Sequence, residues 1–210
     1  LSPSQMLTGI GVACVLLALV MLMPWRSGRS YAPSAFDLHS FARLPVMHEG
    51  RAKPVDSVAR ITLMLLSSKQ NVKRQGEKLA PSRWLLDAAT QQDAVYQDQI
   101  IRIVNNDVLG LLGFRAENRP SFNFSFREIL PSAAKLDEQF AAAREATNRD
   151  MFQKKILELN RQLGAFRGLE GMRNTLPVPP LTASDEWRSL AQAHLHEQQT
   201  GQRSQPLFYW

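Results

Sequence analysis

The charges with the clearest chemical potential in this sequence sit among two prolines and a glycine. The segment LPVMHEGRAKPVDSVAR, residues 44–60, carries Arg51, Lys53, Asp56 and Arg60 around Pro45, Gly50 and Pro54. Proline fixes φ and glycine opens turns closed to other residues, so this backbone is expected to hold its charged groups in a defined geometry. Two chemistries fit. Arg51 or Arg60 can pair with Asp56 and fix the loop against the next helix, a structural role. The same cations can instead form a basic pocket for a carboxylate, such as a haem propionate or the acidic side chain of a partner. Arg51, Lys53, Asp56 and Arg60 are therefore the candidate contact residues.

Elsewhere the inventory is thin. The four histidines are His39, His48, His194 and His196. His194 and His196 fall two apart in a helical pattern, so they point about 200° apart and cannot share one metal ion. They read as solvated surface residues, and His39, within FDLHSF, reads as structural. The single cysteine, Cys14, excludes a disulfide, a CxxC redox pair, a CxxCH haem-attachment site or a cysteine zinc site within the chain. No nucleophile elbow, HExxH or P-loop occurs, and the glycines at 110 and 113 lack a third glycine and a flanking strand. Glu49 and Asp56 are separated by two breakers, which gives no basis for an acid/base pair. No catalytic residue and no metal ligand is assigned, and the chain by itself is expected to lack catalytic activity.

The elements that must position these residues are mostly helical. After the turn signal His48-Glu49-Gly50, a helix is expected over 57–68, capped by Asp56 or Ser57, with an apolar surface (Val58, Ile61, Leu63, Met64, Leu65, Leu66) wide enough to require substantial burial. A charged loop comes next at 69–79, then a helix opened by Pro81 in PSRWLLDAAT. QIIRIV, residues 99–104, is the best strand candidate, and Asn105 to Asp107 supply a cap for VLGLLGF. Phe122, Phe124 and Phe126 alternate with period two, suggesting one extended edge that buries aromatics. Beyond Pro131 the apolar positions Leu136, Phe140, Ala143, Met151, Ile156, Leu159, Leu163, Phe166 and Leu169 predict one long amphipathic helix, or a helical hairpin broken near 147–150. LPVPP at 176–180 is a breaker, and a last helix is expected from Asp185, capped by Ser184.

From Met6 to Met23 no residue is charged, and at helical rise the run spans about 27 Å, close to the thickness of a bilayer's hydrocarbon core. Pro24 ends it, Trp25 suits the interface, and Arg26 and Arg29 suit the headgroups. A secretory signal fits poorly, because no basic region precedes the run and Pro24-Trp25-Arg26 makes a poor cleavage site. The expected organisation is a transmembrane anchor at 1–26, a linker at 27–35, a helical soluble domain at 36–175, and a Pro-rich breaker, last helix and tail at 176–210. The fold class is thus mainly α with little strand. The net charge of +6 is scattered among acids, which argues against nucleic acid and for solvated faces, anionic lipid or acidic partners. Arg26 and Arg29 alone would draw the C-terminal side of the span toward the cytoplasm.

The 44–60 segment resembles the LPV…GRxKPxDTxAR stretch of large cytochrome c biogenesis proteins of the CcsA/ResB (system II) type. The similarity continues through SSKQ (67–70), RWLLDAA (83–89), IIRIVNNDVLGLLGF (100–114), FSFREI (124–129) and the charged long helix, over roughly 36–170. Members of that family carry haem across the membrane and present it to apocytochrome c. The resemblance implies an extracytoplasmic domain anchored in a bacterial inner membrane, with other membrane subunits and apocytochrome c as partners. The family's tryptophan-rich WWD segment is absent, since Trp25, Trp84, Trp187 and Trp210 are isolated. Haem is therefore expected only through the wider assembly, with no cofactor bound tightly by this chain. The competing expectation is a single-span structural subunit that stabilises a larger membrane complex.

Overall fold

The structure, a computed structural model, describes residues 36–115, 121–180 and 185–201. The chain divides into two compact units, Leu1–Asp37 and Leu38–Trp210, and all the described helices and strands lie in the second. Among the described residues no helix is long and apolar enough to cross a membrane. The apolar run at 6–23 lies outside the described residues.

The unit is mainly helical, as the periodicity predicts. Its helices are α1 (Leu38–Arg43), α2 (Val55–Ser67), α3 (Pro81–Ala89), α4 (Asp93–Gln97), α5 (Asn106–Leu111), α6 (Phe126–Ile129), α7 (Ala133–Glu145), α8 (Met151–Arg167) and α9 (Leu190–Thr200). Three two-stranded antiparallel pairs accompany them: β1 (Pro45–His48) with β2 (Arg51–Pro54), β3 (Val72–Arg74) with β4 (Glu77–Leu79), and β5 (Ile101–Arg102) with β6 (Asn123–Phe124).

The turn signal at 48–50 is the tip of the first hairpin. Glu49 and Gly50 both have positive φ, 51° and 73°, the two-residue geometry whose twist matches the flanking strands. The segment expected as a charged loop at 69–79 is corrected to a second hairpin of the same design, with Gln75 and Gly76 at φ 53° and 86°. Its signal was weak because only the opposed pair Val72 and Leu79 packs inward.

α2 runs through the centre, burying Val55, Val58, Ala59, Leu63 and Leu66. It starts two residues earlier than expected, behind Pro54 and without a side-chain cap, so Asp56 lies in its first turn. There the carboxylate favours the positive end of the helix dipole. The apolar surface of α2 is substantially buried, with Ile61 and Met64 the exceptions at 43% and 44% exposed.

The long amphipathic region is a helical hairpin. α7 buries Leu136, Phe140 and Ala143, and α8 buries Ile156, Leu159, Leu163 and Phe166. The break falls where the polar bridge predicts it. Asp150 accepts from the Gln153 backbone N–H at 2.7 Å, and the Gln153 side chain accepts in return from the Asp150 N–H at 3.2 Å. Arg149 donates to the carbonyls of Ala143 and Arg144 at 2.8 and 3.2 Å, satisfying groups that the end of α7 leaves open.

Two local expectations change. Of the alternating phenylalanines only Phe124 is buried in extended backbone; Phe122 is 41% exposed and Phe126 begins α6. Ser125 and Glu128 form a capping box there, so helix initiation overrides the alternation. The last helix begins at Leu190 under a Ser189–Gln192 capping box, five residues later than expected. Arg188 is held extended by a bridge to Val178, while Ser184 lies outside the described residues. Leu176 in turn bridges Met47, which lays the Pro-rich segment along the free edge of β1.

Candidate functional site

α2 presents Val58, Ile61, Thr62 and Leu65 as one stripe, and α8 presents Arg161, Gly164 and Ala165, with Gly168 at its C-cap, as another. Between them lies an open groove of about 550 Å³, within the range of clefts that hold ligands. The β1–β2 turn contributes His48 and Glu49, α3 contributes Leu85, and Leu169, Met172, Asn174 and Thr175 complete the lining. The two helices are fixed by Gln162, which is buried and donates from Nε2 to the carbonyls of Leu65 and Leu66 at 3.2 and 3.4 Å. Those carbonyls belong to the last turn of α2 and have no partner within it.

The floor is low because its residues are small, and the two glycines differ in origin. A Cβ on Gly168 would fall 1.9 Å from Nδ2 of Asn174. That side chain lies across the helix end and donates to the Ala165 carbonyl at 3.3 Å. Gly168 is thereby explained by packing inside the chain. At Gly164 an added Cβ would meet nothing within 4 Å.

The four charged residues singled out by sequence do not form one cluster. Arg60 donates from Nε to Oδ2 of Asp56 at 2.6 Å, an i,i+4 pair along α2. Lys53 turns the other way, placing Nζ 3.4 Å from Nδ1 of His48 and 3.6 Å from Oε2 of Glu49. Arg51 is exposed and has no side-chain ion pair or hydrogen bond among the described residues. Of the two pairings open to Asp56, the one with Arg60 is present, and because both residues lie on α2 it braces the helix and does not tie the loop to it.

His48 is the residue of this segment that sequence reading passed over. Its side chain is 12% exposed at the groove. Burial holds the imidazole below its ordinary value; Glu49 opposes that shift and Lys53 adds to it. The ring is therefore neutral at pH 7, and its Nδ1, 3.7 Å from Glu49, makes no ion pair there. A lysine ammonium only donates, so Nδ1 accepts from Lys53 and Nε2 carries the proton. In a period search a histidine at a turn looks solvated; only the hairpin's tilt onto α2 hides it.

A second polar constellation lies away from the groove. Arg74 donates from Nη1 to Asp87 and from Nη2 to Asp98, both at 2.7 Å, and from Nε to Asp98 at 3.1 Å. Arg83 adds a bond to Asp87 at 2.9 Å. Both carboxylates are nearly inaccessible, and the hydrogen bonds that Arg74 donates to Asp98, then to Asp87, raise the guanidinium above its ordinary value despite burial. This network ties β3 to α3 and to the strand region beyond α4. Its chemistry is saturated, so it reads as structural.

Haem or metal ligation finds a partial set of donors. Among the described residues no group of three His, Cys, Asp or Glu side chains could hold a metal ion. His194 and His196 sit on α9, where Nε2 of His194 meets the Gln198 amide at 3.1 Å. His48 lines the groove without a second histidine among the lining residues, and its Nδ1 is engaged by Lys53. Among the described residues the groove thus offers haem His48 and no second histidine. In comparison with known proteins, no family model and no curated sequence matches the chain.

Proposed function

We propose that this chain is the membrane-anchored accessory domain of a cytochrome c assembly system and works through protein contact at the α2–α8 groove. The observation that carries the contact role is the exposure of Ile61 and Met64 on a helix whose opposite face is the core, beside a groove of about 550 Å³. Apolar side chains grouped at a cleft mark a surface that another molecule covers. The process itself is supported by the resemblance of residues 44–60. That segment builds one end of the groove through His48 and Glu49. Arg51, exposed at the tip of the same hairpin, is the candidate charged contact for a partner carboxylate, and Lys53, Asp56 and Arg60 shape the segment through their own pairs.

On this reading the domain lies on the extracytoplasmic side of a bacterial inner membrane, beside other membrane subunits and apocytochrome c. The test is Ile61→Glu, which sets a charge in the groove at a side chain already exposed to water. In cells relying on this variant, c-type haem staining should fall several-fold while the amount of folded protein stays constant. Staining equal to wild type would overturn the proposal. Loss of a membrane complex with cytochromes c still fully matured would favour the single-span structural subunit.

A further inference from the structure

His48 sits where the first hairpin stops being held. Strand alternation puts it on the same inward face as the buried Val46, but its ring lines the groove. The base of the hairpin is pinned. Met47 is bonded in both directions to Leu176, and the Val55 N–H donates to the Leu44 carbonyl. Among the described residues, no backbone hydrogen bond ties the tip, 48–51, to anything outside the hairpin. An arm fixed at its base and free at its end has room to move.

The side chains of this arm gather around one atom. Nδ1 of His48 has a donor, the Lys53 ammonium, at 3.4 Å and an acceptor, Oε2 of Glu49, at 3.7 Å. Lys53 and Glu49 are themselves 3.6 Å apart. An ammonium only donates and a carboxylate only accepts, so the charge of the ring decides which partner Nδ1 keeps. The neutral ring accepts from Lys53. A proton on Nδ1 sets donor against donor and cation against cation, and turns the atom to Glu49, whose side chain is 74% exposed. The new partner therefore draws the ring toward water. Burial, the largest influence, holds the imidazole below its ordinary value, which places the exchange in mild acid. The other charges on the surrounding elements are accounted for. Arg51, the register partner of His48, and Arg161, which lines the groove from α8, keep their guanidinium charge. Asp56 is paired with Arg60 on α2 and Glu170 with Arg173 beyond α8, while α3 contributes only Leu85.

We infer that the tip of the β1–β2 hairpin is a proton-operated flap on the α2–α8 groove. With a neutral ring, Lys53 holds His48 in the groove wall; with a protonated ring, Nδ1 passes to Glu49 and the ring leaves the wall. The proton comes from solvent and returns to it, so the exchange is reversible. The groove keeps its closed outline for a partner near neutral pH and loses it in mild acid. This rests on the groove being a contact surface and adds how the contact is controlled.

The full 210-residue chain in lipid nanodiscs is followed by NMR from neutral pH down to about 5, with labels on the histidine ring nitrogens and on the Ile61 and Met172 methyl groups. At neutral pH His48 should be the Nε2–H tautomer, and both methyls should shift along one curve with the ring as it takes up its proton. His48→Gln should abolish that curve. Lys53→Met should raise the midpoint of the ring and move the neutral ring toward the Nδ1–H tautomer, a change that a merely packed histidine would not show. Glu49→Gln should lower the midpoint. Both of these side chains reach water, so they decide the matter where His48→Gln fails to fold. Methyls that stay fixed while the ring titrates, a methyl curve that survives His48→Gln, or an Nδ1–H tautomer in the wild type would overturn the flap. Fixed methyls with haem staining still lowered by Ile61→Glu would discard the flap and leave the contact role standing. The expected curve with staining unchanged in Ile61→Glu would uphold the flap and discard the contact role.

Discussion

At the scale of single residues, two partly buried polar groups, Arg74 and His48, carry most of what can be measured on the isolated protein. Arg74 neutralises Asp87 and Asp98 where water barely reaches them. Arg74→Ala would leave Asp98 buried without its cation and Asp87 with Arg83 alone, and should cost about 3–5 kcal/mol in urea unfolding. The triple change Arg74→Met, Asp87→Asn and Asp98→Asn should cost less, because no uncompensated charge is then buried. His48 gives a pH signature. Its folded affinity for a proton is below the ordinary 6.5, so just below that pH the unfolded chain binds more protons than the folded one. Stability is full above 6.5 and falls as pH drops through the window. Urea midpoints taken from neutral pH down to about 5 should therefore decline in the wild type and flatten in His48→Gln. A slope unchanged by the substitution would show that the ring is not the titrating group. Sequence left Asp56 to pair with Arg51 or Arg60; the earlier start of α2 decides for Arg60, since four residues on a helix is a contact distance. It could not show Arg74 meeting Asp98, because that contact depends on how a hairpin folds back over α3.

At the scale of elements, the place of the α7–α8 break was legible, though the period alone also allowed one long helix. Thr147 to Asp150 interrupt a regular apolar period, and Asp150 with Gln153 has the spacing of a reciprocal cap. Asp150→Ala should lower stability by about 1 kcal/mol, and Arg149→Ala should add a smaller loss by freeing the Ala143 and Arg144 carbonyls. A thermal midpoint unmoved by either would mean the corner is held by the apolar faces alone. The two short hairpins were less legible. Their strands are three or four residues long, too few for alternation to register, and the readable marks were only Glu49-Gly50 and Gln75-Gly76 at the turns. The groove was illegible for a related reason. Ile61 and Leu65 scored as core on periodicity, and only the position of α8 decides which side of α2 meets water. Gly164 did leave a mark in the sequence, as an isolated glycine inside a strong helical period.

At the scale of the whole molecule, the described unit is closed by its own late sequence. Met47 and Leu176 exchange backbone hydrogen bonds at 2.9 Å in both directions, and Val178 and Arg188 do the same at 3.1 and 2.9 Å. The early hairpin and the segment after α8 thus complete each other, although α2 to α8 lie between them in the chain. A polypeptide stopped after Arg167 should expose the Met47 amide and carbonyl and lose cooperative unfolding, seen as a broadened urea transition. A sharp two-state transition in that truncation would show that the pairing is dispensable. During synthesis the same pairing acts as a latch set last. The hairpin near the start waits, half bonded, until the stretch around Leu176 has left the ribosome, so the groove closes only after α8 has been made.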